Sequence, residues 1–138
     1  MNKPVSQNNS KELTRMNKKL LHFHLLLFFI LTCSFFTHKY SIENTEQLFF
    51  LYAINGSIAI FIYWTVFLIR DNSKEYLGYY FLLGTLVKFF VFFVFVLPIF
   101  KDDNIVSKTE FFTFFIPYFL SLIVETKSLI SLLNIEEN

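Results

Sequence analysis

Apolar side chains gather in four long runs, Leu20 to Phe36, Leu48 to Ile69, Leu77 to Phe100 and Phe111 to Leu133, and most charges fall in the short stretches between them. At about 1.5 Å per residue, each of the last three runs is long enough to cross a hydrocarbon core of roughly 30 Å. The first lies at the short end of the range. Barrel strands would alternate polar and apolar positions over about 10 residues, whereas Val91 to Leu97 contains no polar residue. Helices satisfy their own backbone groups, and each unsatisfied group in lipid costs several kcal/mol. The pattern therefore predicts an all-α fold with four transmembrane helices over 20–36, 48–69, 77–100 and 111–133.

The links 37–47, 71–76 and 101–110 are short, which predicts antiparallel neighbours in an up-down-up-down bundle. Residues 1–17 are polar, rich in Asn, Lys and Ser, and without apolar period. They are expected to form a disordered tail, followed by a membrane domain over 18–134 and a short C-terminal tail, 135–138. Met16 opens Met-Asn-Lys-Lys-Leu-Leu and is a second candidate start. Lys18 and Lys19 before the first run imitate a signal peptide, but further runs follow and no small-x-small site ends it, so it reads as a retained helix. Tyr40, Trp64, Tyr76, Tyr79 and Tyr80 lie near the expected membrane boundaries, where amphipathic rings collect.

Orientation follows from the basic residues. Lys3, Lys11, Arg15, Lys18, Lys19, Arg70 and Lys74 fall on one side, against Lys39, Lys101 and Lys108 on the other. That seven-to-three bias predicts that the N-terminal stretch, the second link and the C-terminus lie on the cytoplasmic side.

Composition narrows the class further. A chain of 138 residues fits one domain, and 21 Phe exceed what a soluble core of this size can hide. The Phe content also suits the base composition of an AT-rich genome. A net charge of +1 with no basic patch argues against nucleic acid. Cys33 is the single cysteine and can form no internal disulfide. Thr32 and Leu31 before it make a poor lipidation box.

Candidate chemistry is confined to the spans. Lys88 lies mid-span in the third run and Glu125 well inside the fourth. Insertion scales charge about 2.5–3.5 kcal/mol for such a group at a helix centre, so each needs a partner or a task. Lys88 is ~16 Å from the inner boundary and Glu125 ~12 Å, an offset within reach of a flexible Lys side chain. The expectation is an intramembrane ion pair, read either as structural or as a proton or ion site. Pro117, Ser121, Glu125 and Ser128 form one polar stripe on helix four, and Gly84 and Thr85 lie a turn before Lys88. Ala53, Asn55, Gly56, Ser57 and Ala59 make a close-packing patch on helix two, suited to helix packing or to a partner protein. Asn55 should face protein to satisfy its amide. Pro98 and Pro117 are expected to kink or end their helices.

His22 and His24 point to different faces and His38 lies across the membrane, so no metal site is expected. The sequence holds no phosphate-binding Gly loop, nucleophile elbow or paired-carboxylate cleft. No catalytic residue, cofactor or enzymatic activity is expected.

The second half reads Gly84-Thr85-Leu86-Val87-Lys88-Phe89-Phe90, then Phe114-Phe115-Ile116-Pro117-Tyr118-Phe119-Leu120 and Val124-Glu125-Thr126. Over roughly residues 48–134 it resembles a family of small four-helix membrane proteins of Bacteroidota, whose genes tend to sit beside those of the ATP synthase membrane sector. The resemblance is most specific at Lys88, the Ile-Pro-Tyr stretch and Glu125. The plan is also similar to ATP synthase subunit I, a four-helix protein with a basic residue in a late helix that assists assembly of the rotor ring. That likeness reaches only Lys88.

Three functions are consistent with this reading. The resemblance implies an accessory protein that helps assemble the proton-translocating sector, with ATP synthase membrane subunits as partners. Lys88, Glu125 and the polar stripe would alternatively line the path of a small ion or proton transporter, in a homo-oligomer because four helices enclose little space. The third is a structural subunit of another membrane complex.

Overall fold

The structure, a computed structural model, describes residues 5–41, 45–70, 74–101 and 107–134. These contain four helices long and apolar enough to cross a membrane and no strand. The chain is an all-α, multi-pass membrane protein. Helix α1 runs Val5–Lys39, α2 Thr45–Ile69, α3 Leu77–Phe100 and α4 Lys108–Leu133, with a 3₁₀ turn at Lys74–Tyr76 leading into α3.

Cross-helix contacts fix the directions. Along α1 and α2, His24 meets Trp64, Leu31 approaches Gly56 and Phe35 meets Phe49, so rising numbers oppose falling ones. Lys88 with Glu125 and Phe92 with Phe114 show the same opposition between α3 and α4. The bundle is antiparallel between sequence neighbours. Helices α2 and α4 run parallel and pack closely, as do α1 and α4.

Two apolar clusters divide the core. Phe23, Ala59, Tyr63, Val66, Val124 and Leu132 join α1, α2 and α4 towards one end. Leu51, Phe92, Val96, Phe100, Phe114 and Tyr118 join α2, α3 and α4 towards the other. Helices α1 and α3 turn large apolar side chains outward, among them Phe28, Phe29, Leu82, Leu86, Phe90 and Phe93. In water such a surface would drive association; in a bilayer it is the face that meets lipid.

Three expectations change. Residues 5–17 are not a disordered tail but the first turns of α1. A helix already nucleated by its apolar run escapes the initiation cost, and Lys, Glu, Leu and Arg extend it readily. Arg70 Nη2 reaches Met16 Sδ at 3.4 Å and Lys19 donates to the Ser131 carbonyl and, at 2.8 Å, to its hydroxyl. The first contact ties the extension to the end of α2, and the second, just beyond it, ties α1 to the end of α4. Residues 1–4 and the C-terminal tail 135–138 lie outside the described residues.

Helix α4 starts at Lys108, three residues before its apolar run. Ser107 Oγ accepts from the Glu110 amide at 3.2 Å, and Glu110 Oε2 accepts from the Ser107 amide at 2.8 Å. This capping box satisfies two end groups reciprocally.

Neither proline ends its helix. Pro117 stays inside α4. Before Pro98, α3 widens into a π turn over Phe92–Val96, where the Leu97 amide bonds back to the Phe92 carbonyl. Proline lacks an N–H and its ring crowds the carbonyl four residues earlier, so a one-residue shift in bonding register accommodates it.

Candidate functional site

Lys88 Nζ lies 2.8 Å from Glu125 Oε2, and both side chains are fully buried. Helix α3 supplies the cation and one face of α4 receives it. Ser121 Oγ accepts from the ammonium at 3.1 Å and itself donates to the Tyr118 carbonyl at 2.9 Å. The Tyr118 ring centroid is 5.6 Å from Nζ, within range of a cation–π contact. Tyr118, Ser121 and Glu125 stand at i, i+3 and i+7, so successive turns of α4 present all three to Lys88.

The pair sits between the two apolar clusters, where water is scarce and attraction between opposite charges is strong. Removing both ions from solvent is costly, and mutual neutralisation offsets much of that cost only because the hydrogen bonds are short and direct. Glu125 Oε1 finds no hydrogen-bond partner among the described residues. One carboxylate oxygen therefore carries the pair while the other stays buried against apolar surroundings.

The remaining stripe residues divide. Pro117, Ser121 and Ser128 are buried along with Glu125. Gly84 is buried against α2, where an added Cβ would come within 2.8 Å of Ile62 Cγ1. Its missing side chain is what lets α3 approach α2. Thr85 is half-buried and donates instead to the Phe81 carbonyl of its own helix at 3.1 Å. Lys127, a competing neighbour for Glu125 by sequence, is exposed.

The helix-two patch also splits. Ala59 joins the core and Gly56 lies against Leu31 of α1, with 3.1 Å between Leu31 Cδ1 and an added Cβ. Ala53 and Ser57 are exposed. Asn55 faces the protein interior at 1% exposure, but its Nδ2 donates to the Leu51 carbonyl of its own helix at 2.9 Å rather than into the patch. Its Oδ1 has no partner among the described residues.

Two polar clusters on the α1–α2 hairpin escaped sequence reasoning. Trp64 Nε1 donates to His24 Nε2 at 3.2 Å while His24 Nδ1 meets the Leu20 carbonyl at 2.8 Å. An accepting Nε2 assigns the proton to Nδ1, giving a neutral imidazole that donates to Leu20. Further along, the Tyr52 hydroxyl contacts Ser34 Oγ at 2.7 Å and His38 Nδ1 at 3.2 Å. Local spacing shows neither; antiparallel pairing of the two runs is the signal that would have aligned them. Among the described residues no three His, Cys, Asp or Glu side chains gather into a metal-binding group.

Comparison with protein-family models, with curated proteins and with solved structures finds no match to this chain.

Proposed function

We propose that this chain is an integral membrane accessory protein that assists assembly of the proton-translocating sector of ATP synthase, docking by helix contacts rather than by turnover. The observation that carries the non-catalytic reading is the closure of the Lys88–Glu125 pair, whose two charges are buried and bonded to each other. A neutralised, sealed pair fixes α3 against α4 and leaves the outward Phe and Leu side chains of α1 and α3 as the surface for lipid or partner helices. Resemblance at Lys88, Ile116-Pro117-Tyr118 and Glu125 supports the ATP synthase neighbourhood. The basic-residue bias supports cytoplasmic termini, and the resemblance to proteins of Bacteroidota supports a bacterial inner-membrane location.

Affinity purification from native membranes is expected to recover synthase membrane subunits, and a deletion strain is expected to assemble fewer rotor rings. Normal rings in that strain, with no synthase subunit recovered, refute the proposal. Recovery of a different membrane complex instead would make the chain a structural subunit of that complex.

One observation favours a second reading. The unpartnered Glu125 Oε1 is a buried acceptor of the kind a translocated cation or proton would occupy. In that reading, flux in proteoliposomes depends on the ion supplied and disappears in Glu125→Gln. Flux that persists in the variant, or never appears, rejects it.

A further inference from the structure

On its outer side the α1–α2 hairpin carries a groove of about 490 Å³. Leu27, Leu31 and Phe35 form one wall; Phe49, Ala53 and Ser57 form the other. The depth comes from the small side chains of α2, since Ala53, Gly56 and Ser57 stand where neighbouring positions carry Tyr, Ile and Phe. The lining residues of α1 extend from His24 to Phe36, ~18 Å along the helix at about 1.5 Å per residue. One leaflet occupies half of a hydrocarbon core of roughly 30 Å, so the groove is long enough to take an acyl chain from the Lys39-side leaflet, with its far end past the midplane.

Its two ends differ chemically. At the deep end His24 lines the groove and is bonded to Trp64, which bridges the two helices there. At the other end Tyr52 lines the wall, and its hydroxyl joins Ser34 and His38. Lys39 follows at the last residue of α1 and is exposed. An apolar trough with a hydroxyl and an imidazole at one end, and a lysine three residues beyond its last α1 lining residue, complements a molecule with a hydrocarbon chain below a phosphate. A partner helix would use the small residues but would have no need of the cation.

We infer that the groove seats one acyl chain of a phospholipid from the leaflet on the Lys39 side, with the phosphate held at the level of Lys39 and His38. The chain lies against Leu31, Phe35 and Ala53 and fills the space that Gly56 and Ser57 leave. A lipid so held acts as an added wall of the hairpin and exchanges more slowly than lipid on the flat faces of α3.

The test uses the full chain purified in detergent, incubated with phosphatidylglycerol or with phosphatidylcholine and analysed by native mass spectrometry. One retained phospholipid per chain is expected, with phosphatidylglycerol preferred because Lys39 favours net negative charge. Ser57→Phe places a ring in the groove and is expected to lower retention about tenfold. Leu82→Phe, on the exposed face of α3, is expected to leave it unchanged. Lys39→Glu is expected to lower phosphatidylglycerol retention about fivefold, on the scale of one basic contact at a membrane surface. If Ser57→Phe fails to accumulate, Ala53→Leu fills the same trough and is read in its place. Equal retention in the filled and wild-type chains, or none in wild type, overturns the inference. Crosslinking of two copies through Ser57→Cys, without bound lipid, overturns it in favour of a second chain.

Discussion

Between α3 and α4 the polar contact is ionic and sealed: Lys88 reaches Glu125 and Ser121 inside the bundle, with apolar clusters above and below. Between α1 and α2 the polar contacts are neutral and lie towards the ends, Trp64 with His24 and Tyr52 with Ser34 and His38. Stacking of Phe23 on Tyr63, with ring centroids 3.8 Å apart, adds an apolar seam near one end. The difference follows from what each helix can bury. Helix α4 packs against both α1 and α2 and can enclose a charge. Helix α1 is exposed along most of its length and must keep its polar contacts cheap to solvate, leaving a groove open to lipid. One hairpin is thus joined through a single buried charge pair whose members depend on each other, the other through several weak neutral contacts.

The sharpest way to break this contrast is to remove one member of the pair. Glu125→Ala leaves a buried ammonium and is expected to lower stability in detergent by about 3–5 kcal/mol, with matching loss of protein from the membrane. The exchange Lys88→Glu with Glu125→Lys is expected to recover abundance; if it stays as low as the single variants, the pair does not join α3 to α4.

Replacing both charges sharpens the comparison. Lys88→Met with Glu125→Leu is expected to keep stability or raise it, by about 1–4 kcal/mol, because desolvation of both ions disappears. Denaturant titration reads this directly. A marked loss would mean that hydrogen bonding to Ser121 outweighs desolvation.

Gly84→Ala tests the approach of α3 to α2. Alanine ordinarily favours a helix, yet here its Cβ meets Ile62, and a cost of about 1–3 kcal/mol is expected from overpacking. Adding Ile62→Ala should return part of that loss. No change from Gly84→Ala alone would show that α3 moves freely against α2.

The smallest effect belongs to the α1–α2 hairpin. Trp64→Phe removes one neutral hydrogen bond to His24 and is expected to cost about 0.5–1.5 kcal/mol in thermal unfolding. A loss as large as that of Glu125→Ala would erase the distinction between the two hairpins.

The spans were legible because lipid imposes a simple rule, a long apolar run closed on its own hydrogen bonds. Lys88 and Glu125 drew notice for the same reason: charge is expensive there, and helix rise alone brought them to nearly one depth. Helix ends were less legible. The N-terminal extension of α1 from Val5 rests on polar residues with no apolar period, and the contact of Met16 with Arg70 forms only once α1 and α2 have packed. The capping box at Ser107 and Glu110 was readable in the sequence but hidden within a polar link.

The sequence by itself determined that the chain crosses a membrane, how many times, and which charged side chains need partners, since transfer to lipid is a property of each segment alone. The tertiary structure decided which faces meet. It set Asn55 on its own helix backbone, divided the helix-two patch between core and groove, and turned Ser121 and Tyr118 towards Lys88. Those choices depend on the rotation of each helix about its axis, which side-chain packing fixes and hydropathy does not encode.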